Sequence, residues 1–256
     1  MGGTLGARRR LGGGRLAWRV ATLVETREET ASARTLVLDV PGWPGHLAGQ
    51  HVDVRLTAPD GYSTQRSYSL ADTGGDYERV ELTVQRVPGG EVSPYLTDTF
   101  AVGDPVEIRG PVGGWFVWRP AETAPVLLAA GGSGIVPLRA MLRARRAAGS
   151  RVPFRLIYSV RGPEDVYYAR ELRQPEPGVD VTLVYTRTAP EGARTPPGRL
   201  GVATVNSAGW PADFAPRCYV CGPTGFVETV ADILVALGHD PREVRTERFG
   251  PTGGTR

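Results

Sequence analysis

Several short stretches of the 256-residue sequence hold the side chains or glycines that nucleotide binding needs. In STQRSYSLA, Arg66 and Tyr68 stand two positions apart and Ser69 follows. Residues i and i+2 of a strand share a face, so the arginine and tyrosine project together while the serine turns away or lies at the strand's end. An arginine can hold a phosphate, a tyrosine can stack on a planar ring, and a serine can hydrogen-bond a ring nitrogen. Together these are the contacts of a flavin nucleotide, although an ordinary exposed strand has the same composition.

In AAGGSGIVP, an apolar run ends in Gly131, Gly132, Ser133 and Gly134, and a helical pattern begins at once. Glycines at such a turn let backbone amides approach a pyrophosphate, and the helix N-terminus adds partial positive charge. Pro137 is tolerated there because the first helical turn leaves its amides unpaired. A simple tight connection would read the same way. Two other phosphate or nucleophile motifs are excluded. An ATPase-type loop needs a lysine, and this chain has none; a nucleophile elbow needs a glycine where Ile135 stands.

Two later apolar runs end in Ser159-Val160-Arg161 and Thr186-Arg187-Thr188. In a parallel sheet ligands bind outside the carboxyl ends of the strands, so Ser159, Arg161 and Arg187 can converge on one anion. An adenosine 2′-phosphate, matched bidentately by arginine, is the natural candidate, with solvated loop arginines as the plainer alternative. No acid stands directly at that strand end to take a ribose hydroxyl, though Glu164 and Asp165 follow shortly. NADPH is therefore favoured and NADH stays open. In CGPTGF, Cys221, Gly222 and Pro223 leave room for a flat ring against the backbone, with Cys221 facing it or buried as a structural thiol.

The elements that must position these residues fall into two halves. From Leu16 to Arg119, short alternating segments (RTLVLDV, HVDVRL, ERVELTVQRV, DPVEIRG) are separated by turn residues, which points to an antiparallel barrel. After Pro120, strand-length apolar runs alternate with helical segments such as VPLRAMLRARRAAG, EDVYYARELR and GFVETVADILVALG. That alternation predicts a doubly wound parallel sheet. The expected division is a Gly/Arg tail over 1–15, disordered by composition, a barrel domain over 16–119 and an α/β domain over 120–256.

Composition narrows the function further. The 30 basic and 27 acidic residues look basic, but Arg8, Arg9, Arg10 and Arg15 sit in the tail, which leaves 26 against 27 elsewhere. A nucleic-acid footprint on the folded part is not expected. No apolar run is long enough to span a membrane, and the tail lacks the apolar core of a secretory signal, so a cytoplasmic protein is expected. Cys218 and Cys221 are too few for an iron-sulfur cluster. On a strand, residues three apart point to opposite faces, which argues against a redox pair. His46, His51 and His239 are scattered, and no grouping has metal-ligand spacing.

RSYS at 66–69, GGEVS at 89–93, GGSGIVP, YSVR and CGPTGF stand in the order found in the ferredoxin-NADP reductase family, and the sequence resembles that family from Leu16 to Gly250. The resemblance implies a six-stranded flavin-binding barrel followed by a nicotinamide-nucleotide domain, with FAD and NADPH as cofactors. It implies that Arg66 holds the flavin phosphate, Tyr68 stacks on the isoalloxazine and Ser69 lies near its N5. Backbone at Thr83 and Val84 would edge the ring, and Gly90, Val92 and Ser93 would complete the phosphate site. Gly132, Ser133 and Gly134 would take the dinucleotide pyrophosphate. In Glu247-Arg248-Phe249-Gly250, the aromatic would cover the other flavin face and move for nicotinamide, and Glu247 is a candidate for proton delivery with Ser69.

The implied reaction passes a hydride from NADPH to FAD and then single electrons to an acceptor. Family members often fuse an iron-sulfur domain, and none follows ERFGPTGG here, so the expected acceptor is a separate ferredoxin-type protein or oxygenase component. Reduction of free flavin, a quinone or another small acceptor is the alternative. A third reading is an electron-transfer subunit of a larger complex.

Overall fold

The computed structural model describes residues 16–73, 78–193 and 195–250. The Gly/Arg tail lies outside the described residues.

Six strands form the first sheet: β1 (Trp18–Thr30), β2 (Ala33–Asp39), β3 (His51–Thr57), β4 (Ser63–Ser69), β5 (Arg79–Gln85) and β6 (Pro105–Val112). Their order is β4-β3-β6-β1-β2-β5, and every neighbouring pair is antiparallel. Long β1 shifts register twice, between Leu23 and Glu25 and between Glu28 and Thr30. Such bulges bend a strand and let the sheet curl. The edge strands meet at one bridge, Leu70 to Leu82. Closure there leaves most of β4 as an open rim. Alternate residues such as Leu23, Leu36, Leu38, Val52, Val54 and Leu82 fill the interior. A short helix, α1 (Val92–Pro94), runs into a π-helical turn (Tyr95–Thr99) and adds Val92, Leu96 and Phe100 to the same core.

The second sheet is parallel throughout, with strands β7 (Val126–Gly131), β8 (Phe154–Val160), β9 (Val179–Tyr185), β10 (Arg217–Pro223) and β11 (Val244–Phe249) in the order β11-β10-β7-β8-β9. One face packs α2 (Ile135–Ala147), and the other packs α4 (Val202–Ala208) and α5 (Thr224–Ala236). The expected antiparallel barrel and doubly wound sheet are both present. Cys218 and Cys221 lie in the clusters on opposite faces of β10 as free, buried thiols.

One expected helix is cut short. EDVYYARELR forms only a single turn (Pro163–Asp165) and the four-residue α3 (Ala169–Leu172). Tyr168 breaks the run with φ of 56°, a left-handed conformation that few non-glycine residues adopt. Burial of Tyr167 and Tyr168 and a hydrogen bond from the Tyr168 amide to Glu29 Oε2 of the barrel (3.0 Å) hold it there.

The two domains share a packed junction. The segment between β6 and β7 inserts Phe116 and Trp118 into the second domain's core, where Trp118 packs edge-on against Phe154 at 5.2 Å and Phe116 against Tyr219 at 5.4 Å. Nearby, Arg139 of α2 is almost wholly buried and reaches Glu171 Oε2 (2.9 Å), the Ala71 carbonyl (3.1 Å) and Glu81 Oε2 (3.3 Å). Its guanidinium lies 3.9 Å over the Tyr168 ring. Arg27 and Arg143 also bind Glu81. Burial works to raise the pKa of Glu81, and the three surrounding arginines overcome it and hold the carboxyl below its usual range. Glu81 therefore stays ionised, as the buried Arg139 requires.

Candidate functional site

Strand order in the second sheet reverses at β7, because β8 and β9 lie on one side of it and β10 and β11 on the other. The crevice at the carboxyl ends of β7 and β10 is where such sheets bind ligands. Gly132 takes φ of +53° with open space where a Cβ would stand. At Gly134 a Cβ would lie 2.1 Å from the Cys221 carbonyl oxygen, and at Gly131 it would lie 2.8 Å from the Phe226 ring. The glycines thus let the turn seat directly against β10, and the Ile135 amide that opens α2 is spent on the Gly132 and Ser133 carbonyls within the turn. Ser133 is half-buried within this turn, and Gly222 and Pro223 end β10 beside it.

The open rim of the barrel carries the second set. Arg66 and Tyr68 pair with Val54 and Val52, both core residues, so the two share the inner face where the barrel is not closed. Arg66 is exposed, and its Nη1 donates to the neighbouring Gln65 carbonyl at 2.7 Å. Tyr68 packs against the barrel core, and burial pushes its hydroxyl up to about 12, with Arg66 opposing, so it is neutral. Ser69 is buried, and its Oγ has no hydrogen-bond partner. Ser93 spends its hydroxyl on accepting from the Val87 amide at 3.1 Å, and a Cβ at Gly90 would lie 3.1 Å from the Val87 carbonyl. That bond holds the 87–93 turn in shape. Val92 points into the barrel core.

Thr83 and Val84 have no side chain free for a ligand. The Thr83 hydroxyl accepts from Tyr168 Oη at 2.5 Å and lies 2.8 Å from Thr35 Oγ1, while Val84 is a core residue. Only backbone of these two can edge a ligand.

The last strand adds a cluster that joins the two sets. Glu247 is largely buried, its Oε2 has no hydrogen-bond partner, and burial raises its carboxyl to about 7. Its Oε1 lies 3.9 Å from His51 Nδ1. His51 pairs with Ser69 across β3 and β4. Burial lowers the His51 pKa, Asp53 only partly offsetting it, so its ring is neutral at pH 7. Cys221 pairs with Glu247 across β10 and β11. Burial, with Glu247 nearby, raises the Cys221 thiol well above its usual value. It is fully enclosed and protonated, in the same cluster against which Phe249 packs. Phe249 thus belongs to a paired strand, opposite Pro223.

Sequence reasoning passed over His51. The signal was its position opposite Ser69, which requires the register of two strands. The other two histidines are structural. His46 sits between Trp43 and Asp72, and His239 lies beside Cys218. Among the described residues no group of three or more His, Cys, Asp and Glu is placed to hold a metal.

Arg161 and Arg187 come together, because the Arg187 and Thr188 amides both donate to the Arg161 carbonyl, at 2.9 and 3.0 Å. With Glu164, Asp165 and Thr188 they line a cavity of about 260 Å³. Ser159 is buried two residues earlier, paired with Gly131, and so stands nearer the glycine turn than the arginines.

These features suit a flavin and a nicotinamide dinucleotide. The buried orphan oxygens of Ser69 and Glu247 need a partner at the junction, the glycine turn has open space, and Arg66 faces solvent beside a half-buried aromatic.

Comparison with known proteins agrees. The oxidoreductase FAD-binding domain model matches residues 20–117, and the oxidoreductase NAD-binding domain model matches 128–232. A ferredoxin–NADP reductase B of Sorangium cellulosum is 33% identical over 79% of this chain and 84% of its own. The ferredoxin–NAD(P)+ reductase component of Ralstonia naphthalene 1,2-dioxygenase/salicylate 5-hydroxylase systems is 32% identical over 80% of this chain. This chain spans 61% of that relative and 63% of a glycine betaine monooxygenase reductase subunit of Pseudomonas aeruginosa. Among solved structures, the FAD/NAD-binding domain of a Vibrio cholerae nitric oxide dioxygenase superposes with a TM-score of 0.81 at 26% identity, covering 91% of this chain and 99% of that one. An Amycolatopsis cytochrome P450 reductase gives 0.80 at 30% identity, covering 93% and 71%.

Proposed function

The chain belongs to the ferredoxin-NADP reductase family, and from that premise we propose that it is the flavoprotein reductase of a multicomponent system, drawing electrons from NADPH and delivering them to a separate one-electron acceptor of ferredoxin or oxygenase type. The observation that carries this reading is the approach of His51 on the barrel to Glu247 on the last strand, 3.9 Å apart beside the unpartnered Ser69. It puts the rim of the flavin domain and the crevice of the nucleotide domain on one junction.

The flavin, when bound, converts a two-electron donor into successive one-electron transfers. The protein's part is to bind, orient and manage protons. Arg66, with the 87–93 turn that Gly90 and Ser93 shape, holds the flavin phosphate. Tyr68 supports the ring, Ser69 Oγ offers a hydrogen bond to its N5 edge, and backbone at Thr83 and Val84 borders it. Gly132, Ser133 and Gly134 receive the dinucleotide pyrophosphate, Gly222 and Pro223 line the place of the nicotinamide, and Cys221 lies enclosed behind them. Phe249 excludes water from the junction until the nicotinamide enters. With its pKa near 7, Glu247 can hold or release a proton at Oε2 under neutral conditions. Arg161 and Arg187 take the adenosine 2′-phosphate.

No helix among the described residues is long and apolar enough to cross a membrane. We propose a cytoplasmic location.

Anaerobic titration of the flavin absorbance with NADPH and, in parallel, NADH tests the reading. Bleaching at lower NADPH concentration, followed by reoxidation on adding a ferredoxin-type protein, is expected. Reoxidation by free flavin alone would shift the assignment to a small acceptor, and no bleaching by either nucleotide would refute the reductase.

A further inference from the structure

We propose that Asp165 sets the selectivity between the two nicotinamide dinucleotides by acting as a built-in competitor for Arg161. The inference rests on the reading of Arg161 and Arg187 as ligands of the 2′-phosphate. The turn after β8 folds back so that Asp165 Oδ1 lies 3.5 Å from Arg161 Nη2, while Asp165 Oδ2 accepts from the Gly162 amide at 3.1 Å. One carboxylate oxygen is thus pinned by backbone and the other is presented to the guanidinium. Glu164 curls over the same turn, with Oε1 only 2.5 Å from where a Cβ on Gly162 would stand. The cavity is therefore lined by two acidic residues, Glu164 and Asp165, and two arginines, of which Asp165 and Arg161 form an ion pair.

A 2′-phosphate entering this cavity must draw Arg161 away from Asp165 and lie close to a second negative charge. The Arg161 side chain is 51% exposed, so its resident ion pair is weak and yields to a phosphate dianion. Charge-assisted bonds from two arginines still favour the phosphate. The carboxylates reduce that margin, and they can accept hydrogen bonds from ribose hydroxyls of a dinucleotide lacking the phosphate. The site is built for a graded preference with NADH retained as a usable donor. A pocket of arginines alone would nearly exclude it.

Asp165→Asn tests this, because the asparagine carbonyl can keep the bond from Gly162 while the charge is lost. The FAD-loaded full chain is titrated calorimetrically with adenosine 2′,5′-bisphosphate and with adenosine 5′-monophosphate, and the ratio of the two affinities is read. Asp165→Asn should raise that ratio by about tenfold and steepen its fall with salt, while Arg161→Ala should lower it. A ratio that falls in Arg161→Ala but is unchanged or lower in Asp165→Asn would overturn the competitor role and leave the phosphate site standing. A ratio unmoved in both variants would overturn the phosphate site as well. If Asp165 served only to shape the turn, both ligands would change together and the ratio would stay fixed.

Discussion

The glycine turn and the barrel rim, proposed above as the dinucleotide and flavin sites, solve related problems with different materials. At the turn, shape is carried by missing side chains: Gly131 and Gly134 sit where a Cβ would strike Phe226 or the Cys221 carbonyl, and Gly132 takes a positive φ. At the rim, the contacts are side chains that have no final partner: Arg66 turns to its neighbour's carbonyl and Ser69 Oγ is orphaned. A backbone site is complete before its ligand arrives and has no way to relax. A side-chain site is finished by the ligand and can be altered one contact at a time.

The largest expected effect follows from this contrast. Gly134→Ala puts a methyl group 2.1 Å from the Cys221 carbonyl oxygen and should cost about 3 kcal/mol or more of stability, seen as a lower melting temperature with or without flavin. Arg66→Ala should leave the melting temperature of the flavin-free protein nearly unchanged and weaken FAD about a hundredfold, measured by flavin retained on desalting. If Arg66→Ala destabilised the flavin-free chain as much as Gly134→Ala, the distinction between the two sites would collapse.

Glu247 sharpens the comparison at the point where the sites meet. Its carboxyl is near 7 in the folded chain and about 4.3 when unfolded, so it favours folding fully at acid pH and that contribution is lost as pH rises through about 7. Glu247→Gln should therefore match the parent below about pH 4 and exceed it above pH 7 by up to roughly 3 kcal/mol, read from urea denaturation across that range. The smallest effect is expected at Tyr168→Phe, which deletes the bond to Thr83 Oγ1 and should cost about 1 kcal/mol.

What was legible in the sequence was largely what adjacent residues encode. RSYS and GGSGIVP declare their chemistry through residue type and a spacing of one to three positions. The His51–Glu247 contact joins residues nearly 200 positions apart, and it depends on the β3–β4 register together with domain packing. Neither has a local signature. The loss of helix around Tyr168 has the same origin, since its cause is a hydrogen bond to Glu29 in the other domain. The Thr83 hydroxyl is likewise committed across the domain boundary, to Tyr168. Local pattern named the residues, and long-range packing decided which of their atoms are available.

The ion cluster around Arg139 has a consequence for engineering. Chimaeras that join one reductase's flavin half to another's nucleotide half assume interchangeable parts. Here Glu81 and the Ala71 carbonyl belong to one half, and Arg139, Arg143 and Glu171 to the other. A transplant of residues 120–250 onto a foreign barrel would keep Glu171 but leave the buried Arg139 without Glu81 and the Ala71 carbonyl. The seam to cut along is therefore a set of side chains, and a working hybrid must carry Arg27, Glu81 and Thr83 across with the graft.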